Sequence, residues 1–279
     1  MKQEMYEHIQ EVERTHWWYV ARRKMVFDWL ARELDPRTAP RVLDVGCGTG
    51  FNIACLQESG YDHVMGLDSS SEALRYCRSR DLSRLVQGDA SSPPLRSSSF
   101  DLIVALDVLE HLPGDAQALR SFARVLAPGG LLLLFVPALS FLWGFQDEVS
   151  HHYRRYTCRE LREKLVLAGF TVRKLTYVNM FLLPLIWAGR RVLALFGNRI
   201  QGTSENDLHP AWSNGLLQWI LAAERPLIRH VNLPVGVSLL GVAERAESDG
   251  SSERQPGQLA SWWEHSIFRD PRGAPGEAS

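Results

Sequence analysis

Cysteine is scarce in this chain, and none of the four copies forms a CxxC pair or another spacing typical of a metal site. Without such spacing, neither a disulfide scaffold nor a zinc module is indicated. We interpret Cys47, Cys55, Cys77 and Cys158 as small buried hydrophobic residues of a protein in a reducing cytoplasm.

Net charge is also small, −1 over 279 residues, and no long basic run occurs. Such a chain offers little attraction to a nucleic-acid backbone, so DNA and RNA are not expected as partners. Residues 1–13 are acidic and lack the apolar core of a signal peptide, which argues against secretion. No internal repeat is apparent, which argues against a solenoid or a propeller.

Long uninterrupted apolar runs are missing as well. The most apolar window, residues 180–197, is broken by Pro184 and by the pair Arg190–Arg191. A membrane-spanning helix is therefore not predicted, although this window could lie on a membrane surface. With 45% hydrophobic residues, the chain can bury the core of one large domain and an appendage.

The chain does contain a short apolar strand that runs into a glycine-rich turn, VLDVGCGTG at residues 42–50. Glycine adopts the backbone angles of such a turn and lets a ligand approach the main chain. A helix predicted at residues 51–58 would direct its free amides at that ligand. The spacing is GxGxG, with Asp44 before it, and not the GxGxxG of dinucleotide sites, so a nicotinamide-dependent oxidoreductase is the weaker alternative.

Polar residues follow further predicted strands, at residues 63–67, 84–87 and 100–106. Carboxyl ends of parallel strands meet at one edge of a sheet. Asp68 therefore stands where its carboxylate can accept hydrogen bonds from both hydroxyls of a ribose. Ser69 and Glu72 have the spacing of a capping box that opens the next helix.

These motifs, in this order, resemble the class I S-adenosylmethionine-dependent methyltransferases: VLDVGCGTG, GLD, QGDA, FDLIVALDVLEHL, then VLAPGG before LLLLFVP. The resemblance covers about residues 41–136. It implies an α/β, Rossmann-like, doubly wound fold with a mostly parallel seven-stranded sheet and an antiparallel last strand. It also implies S-adenosyl-L-methionine as the cofactor and S-adenosyl-L-homocysteine as its product.

The same resemblance assigns a set of cofactor-binding residues along the length of the cofactor. They are Asp44, Gly46, Cys47, Gly48 and Gly50 beside the methionine half, Asp68 and Ser69 at the ribose, Asp89 and Ala90 at the adenine, and Asp107, which faces both cofactor and acceptor.

A narrower resemblance continues beyond residue 136. The segments PAL, LWG, RRYT and AGF are similar to a large, poorly characterised bacterial branch of these enzymes, which is itself distantly similar to ubiquinone-biosynthesis O-methyltransferases. That branch tends to open with a Trp-rich helix, matched here by HWWY at residues 16–19. These aromatic residues either cover the acceptor pocket, with Arg22 or Arg23 reaching the carboxylate of the cofactor, or anchor the helix to the domain. We favour the cover, with Arg23 as the cofactor ligand.

Methyl transfer to a poor nucleophile requires a base, and two histidines are candidates. His152 follows the fifth strand, and Asp147 could orient its ring. The alternative is that Asp147, His152 and Arg154–Arg155 form a structural charge cluster, and both remain open.

His111 is the second candidate, next to Glu110 and near Asp107. This set could act as a base or hold a divalent metal, as a similar segment does in the ubiquinone-biosynthesis enzymes. The same letters also occur in family members that use no metal, so packing is favoured and no metal is predicted.

Composition and periodicity divide the chain into five parts. They are a helical cap at 1–40, a cofactor-binding core at 41–178, a helical insertion at 179–233, a last strand at 234–244 and a disordered tail at 245–279. The insertion is either a lid, a dimer surface or a membrane contact through residues 180–200. Trp262–Trp263 in the tail has no assigned role.

Together these features predict a methyltransferase that acts on a small-molecule or lipid-like acceptor. Oxygen is the favoured acceptor atom because a histidine base is available, and carbon and nitrogen remain open. The alternative from another class is a cofactor-binding regulator or membrane-surface adaptor without turnover.

Overall fold

The computed structural model describes residues 3–196 and 212–246. The tail from residue 247, with Trp262–Trp263, and the middle of the insertion lie outside the described residues. Nine α-helices are present in the described ranges: α1 Gln3–Val12, α2 Trp17–Glu33, α3 Phe51–Glu58, α4 Ser71–Arg78, α5 Asp115–Val125, α6 Phe145–Val149, α7 Cys158–Leu167, α8 Leu183–Phe196 and α9 Ser213–His230.

Seven strands are described: β1 Val42–Val45, β2 Val64–Asp68, β3 Leu85–Gln87, β4 Phe100–Leu106, β5 Leu126–Pro137, β6 Phe170–Val178 and β7 Ser238–Arg245. They form one sheet in the order β3-β2-β1-β4-β5-β7-β6. The pairs among β1 to β5 are parallel, whereas β7 is antiparallel to both β5 and β6. This topology confirms the predicted seven-stranded sheet with its antiparallel last strand.

Because β7 is antiparallel to both β5 and β6, those two strands point the same way, and their carboxyl ends meet at one edge of the sheet. All four residues of β1 and the run Leu131–Val136 of β5 are buried, since helices cover both faces of the sheet. The turn after β1, the end of β4 at Asp107 and the end of β6 at Asn179 therefore share one edge.

The predicted capping box of Ser69 and Glu72 is wrong by one residue. Ser70 is the N-cap of α4, and its hydroxyl accepts the amide of Ala73. Asp68 is the reason, since its carboxylate accepts the amide of Ser70 and keeps that residue outside the helix.

The helical cap predicted at the start of the chain consists of two helices, because the chain breaks between α1 and α2. His16 caps α2 there, with its ring nitrogen accepting the amide of Trp18. At the start of α7, Thr157 is the N-cap, and its hydroxyl accepts the amide of Glu160.

The insertion is tied to the core by Glu224 of α9. This side chain is fully buried, and its carboxylate accepts the amides of Asn179 at 2.6 Å and Phe181 at 2.8 Å. Burial raises the pKa of Glu224, while these backbone hydrogen bonds oppose the rise. The link fixes the chain where it leaves β6 and enters α8.

Replacing Glu224 with alanine is expected to lower the free energy of unfolding by about 3 kcal/mol, because two buried amides lose their acceptor. Thermal and urea unfolding of Glu224→Ala would measure the loss. Glu163→Gln is the matched control, since Glu163 is exposed and paired only with Arg159 on α7, and it is expected to stay within about 0.5 kcal/mol of the parent. Equal free energies of unfolding for the two variants would contradict the stabilising role of Glu224.

Candidate functional site

A cavity of about 550 Å³ opens at the carboxyl edge of the sheet. It is bounded by the glycine turn, the end of β4, the segment around α6 and residues of α1, α2, α8 and α9. Seven predicted site residues line it: Gly46, Cys47, Gly48, Asp107, Arg23, His111 and His152. Seven others lie outside its lining: Asp44, Gly50, Asp68, Ser69, Asp89, Ala90 and Asp147.

The glycine turn has the backbone that its sequence predicts. Gly46, Gly48 and Gly50 have φ angles of 67°, 54° and 78°, a region that other residues rarely adopt. A Cβ on Gly46 would approach the side chain of Val108 to 2.7 Å, whereas one on Gly48 would meet nothing closer than 4.0 Å. Gly48 therefore keeps bare backbone next to open space in the cavity.

Asp44 lies beneath this turn with its carboxyl almost fully buried. Its Oδ2 has no hydrogen-bond partner. Burial raises the pKa of Asp44 to about 7, and the nearby charge of Arg22 opposes that rise. A buried carboxyl with a free oxygen beside the turn suits a cationic or hydrogen-donating ligand group.

The pKa of Asp44 predicts a pH dependence of stability. A carboxyl whose pKa is higher in the folded than in the unfolded protein stabilises the fold in its protonated form. This contribution is complete at a pH below the unfolded pKa, near 4, and is lost as the pH rises through the folded pKa of about 7. We therefore expect the ligand-free protein to lose stability relative to Asp44→Asn between pH 5 and 8, measured as unfolding temperature. The control is Asp101→Asn, because Asp101 is at the far end of β4 and pairs with Arg41; its unfolding temperature should depend on pH as that of the parent does. If the unfolding temperature of Asp44→Asn also followed the parent at every pH, the raised pKa of Asp44 would be contradicted.

Asp68 and Asp89 follow β2 and β3 at the same edge. Asp68 accepts the amides of Gly48 and Ser70, one on each carboxylate oxygen. Asp89 accepts the amide of Ser91. Each carboxylate keeps further lone pairs for a ligand, since two oxygens offer about four acceptor positions.

These residues fit S-adenosylmethionine. Open backbone at Gly48 accommodates a ligand that approaches the main chain, and the free oxygen of Asp44 can meet its ammonium. Asp68 stands at the end of β2, where a ribose would lie. The order of contacts along the cofactor stays a prediction.

Hydrogen bonds that join the amino-terminal helices to the glycine turn were not predicted from the sequence. Glu13 is buried and accepts hydrogen bonds from the hydroxyl of Thr49 and from Arg80. Burial raises the pKa of Glu13, while Thr49 and Arg80 oppose the rise. No local pattern marks these three residues, which are far apart in sequence and meet only in the fold.

Arg22 and Arg23 have different surroundings. Arg22 is buried and paired with Asp107, and the charges of Asp44 and Glu110 also act on it. Arg23 donates to the carbonyl of Glu13 and lies over a phenyl ring on α3. Both line the cavity, so the predicted role of Arg23 stays a prediction, and Arg22 is the cation nearer the end of β4.

His152 is held in one orientation by Asp147. The Nδ1 of His152 lies 2.9 Å from Oδ1 of Asp147, and the same oxygen accepts Nε of Arg155 at 2.8 Å. Burial alone would raise the pKa of Asp147, but its bonds with His152 and Arg155 outweigh burial and hold it at about 2. Asp147 is therefore an anion that fixes both partners through the same oxygen.

Glu110 and His111 lie beside this histidine. The rings of His111 and His152 are 4.6 Å apart in an edge-to-face arrangement, and Nε2 of His152 lies 4.0 Å from Oε1 of Glu110. Glu110 is fully buried, neither carboxyl oxygen has a hydrogen-bond partner, and burial raises its pKa to about 8. Burial and the charge of His152 lower the pKa of His111 to about 4.

Ligand atoms of Glu110, His111 and His152 all lie within 4.8 Å of one another. The three could hold a divalent cation. They could equally pass a proton among neutral groups, because burial keeps Glu110 protonated and His111 uncharged near neutral pH.

The chain is similar to known methyltransferases. Residues 43–134 match the family model described as a methyltransferase domain. A protein of Mycobacterium tuberculosis named "Probable S-adenosylmethionine-dependent methyltransferase" is 32% identical over 169 residues, which are 58% of this chain and 58% of that protein. A ubiquinone biosynthesis O-methyltransferase of Aeromonas salmonicida is 26% identical over 54% of this chain and 71% of that enzyme.

Among solved structures, an S-adenosylmethionine-dependent methyltransferase from Mesorhizobium loti superposes with a TM-score of 0.52 and 18% identity, over 79% of this chain and 98% of that one. This likeness shows the fold. The match over residues 43–134 and the similarity to a probable S-adenosylmethionine-dependent methyltransferase confirm the resemblance drawn from the motifs. The alignment takes in less than two thirds of the mycobacterial relative, 58% of its length. Within the described residues, none of the helices combines the length and apolar character needed to cross a bilayer.

Proposed function

We propose that this chain transfers the methyl group of S-adenosylmethionine to an oxygen atom of a small-molecule or lipid-like acceptor. The observation that carries the proposal is that His152 lines the same cavity as the glycine turn and that its ring is fixed by Asp147. A histidine with one nitrogen held by a carboxylate is suited to remove a hydroxyl proton.

The bound cofactor would supply a methyl group already activated by its sulfonium. Nε2 of His152 accepts the hydroxyl proton of the acceptor as the new oxygen–carbon bond forms and the sulfur–carbon bond breaks. Asp147 stabilises the resulting imidazolium and prevents the ring from turning. Trp17 and Trp18 line the cavity and limit its access to water.

Binding and turnover are tested separately. Calorimetry with S-adenosylhomocysteine is expected to show binding, and the same titration with NAD is expected to show none. A methyl-release assay over a panel of phenols, hydroxy acids and lipid extracts then tests turnover. Binding without release from any acceptor class would favour the regulator or adaptor, while NAD binding alone would favour an oxidoreductase.

Removal of metal is expected to leave activity unchanged, because the proposed proton acceptor is Nε2 of His152 and the proposed reaction has no step that requires a metal. The measurement is the methyl-release rate before and after treatment with a chelator. A loss that magnesium or manganese restores would instead assign Glu110, His111 and His152 to a metal site.

A peripheral membrane contact through the insertion is part of this proposal. The exposed side of α8 is apolar, with Leu185, Trp187 and Val192 beside Arg191, and Leu185 also lines the cavity. The exposed residues Trp212, Leu216 and Trp219 follow one another at helical spacing at the start of α9. Tryptophan and arginine beside aliphatic residues suit the interface of an anionic bilayer.

Co-sedimentation with phosphatidylcholine vesicles, with and without phosphatidylglycerol, tests this contact. Binding to the anionic vesicles is expected to fall for Trp219→Ser and to persist for the control Leu167→Ser, an exposed residue of α7. Absence of vesicle binding together with dimerisation that Trp219→Ser abolishes would assign the surface to a homodimer.

A further inference from the structure

Asn179 is the first residue after β6, and its backbone is held in an unusual conformation. Its φ angle is 62°, in the left-handed region that asparagine tolerates better than most residues. Its amide nitrogen donates to Glu224 at 2.6 Å. The residue is fully buried and lines the cavity, so its position is fixed before any ligand arrives.

The side chain of Asn179 has no hydrogen-bond partner at either Oδ1 or Nδ2. A buried polar group without partners destabilises the fold, and native proteins retain few of them. Here the unpaired amide lies in the wall of a cavity on a rigid backbone. A group of this kind discriminates strongly between ligands that complete its hydrogen bonds and ligands that do not.

Sheet order shows which part of the ligand Asn179 would meet. Asp68, expected at the ribose, follows β2, whereas Asn179 follows β6, with β1, β4, β5 and β7 between them. Asn179 therefore lies far along the edge from the adenosine end. The cavity wall also contains apolar side chains of the insertion, among them Leu182, Ile186 and Leu217.

We propose that Asn179 is an acceptor-recognition residue, and that the acceptor carries a planar group with a donor and an acceptor side by side, as in a carboxamide, on an apolar body. This inference rests on the proposed function, which supplies the reason for an acceptor chamber. The amide of Asn179 pairs with such a group through two hydrogen bonds, and the apolar body lies against the insertion helices.

Benzamide, benzoate and toluene serve as probes, titrated by ligand-observed NMR against the full chain with and without S-adenosylhomocysteine. Benzamide is expected to bind best, because it alone can fill both hydrogen bonds. Asn179→Gly removes the amide and suits the positive φ, so it preserves the backbone held by Glu224. We expect it to weaken benzamide about tenfold and to leave toluene unchanged.

Asn179→Asp gives a readout that a merely structural role would not produce. Its carboxylate still accepts from benzamide but repels benzoate, so benzoate binding is expected to disappear while benzamide binding remains. Asn232→Asp, on an exposed residue before β7, is the matched control and should bind all three probes like the parent. Unfolding temperatures of each variant confirm that the fold is retained.

Equal benzamide affinity in the parent and Asn179→Gly, or no benzamide binding by the parent, would overturn the assignment. Failure of the proposed function has a different signature. In that case S-adenosylhomocysteine does not bind, while the dependence of benzamide on Asn179 remains.

Discussion

Replacing His152 with glutamine is expected to lower kcat by roughly 10²- to 10⁴-fold, the usual contribution of a general base. The reason is that the proposed function makes Nε2 of His152 the proton acceptor, while Asp147 fixes the ring through Nδ1. The measurement is the single-turnover methyl-transfer rate with the acceptor found in the panel. Affinity for S-adenosylhomocysteine should stay within about twofold, since His152 is not among the expected cofactor contacts.

The control for this prediction is His151→Asn. His151 is adjacent and exposed, and its φ of 55° is tolerated by asparagine. This variant should retain the parent rate. If His152→Gln also retained it, His152, Asp147 and Arg155 would be a structural charge cluster, the alternative left open by the sequence.

Replacing Asp68 with alanine is expected to weaken S-adenosylhomocysteine by roughly 100-fold, because two ribose hydroxyls lose a charged acceptor worth about 3 kcal/mol together. Calorimetry measures the change. The variant also leaves the amides of Gly48 and Ser70 without their acceptor, so some loss of thermal stability should accompany it.

Asp101→Asn separates these two effects. Asp101, near the amino end of β4, pairs with Arg41 just before β1, at the opposite edge of the sheet from Asp68. Its loss should therefore affect stability and leave cofactor affinity intact. An unchanged dissociation constant for Asp68→Ala would contradict the placement of the ribose and, with it, the cofactor assignment.

Much of the cofactor half could be predicted from sequence because its signals are local. A buried strand, a turn that requires positive φ and a following helix occupy fewer than twenty consecutive residues at 42–58. The strand β4 and the helix α3 begin and end at the predicted residues. The start of α4 was misplaced by one residue because a serine pair offers two caps, and only the bond from Ser70 to Asp68 selects between them.

Other parts of the site depend on contacts between distant parts of the chain. Glu13 meets Thr49 and Arg80, and Asn179 is held by Glu224. None of these pairs has a spacing that sequence periodicity could reveal. From the sequence alone, Asn179 is an ordinary loop residue. Only the structure shows that it is buried and that its side-chain amide is unpaired.

By itself, the sequence determined the class of the domain, the strand-end carboxylates Asp68 and Asp89, and the glycine turn, because backbone preference and apolar periodicity act over a few residues. Tertiary structure alone decided that His152 faces Glu110 and His111 in one cavity, and that Asn179 lies in its wall. Burial and the pKa shifts it causes depend on which distant segments pack together, and that packing follows from the strand order of the sheet.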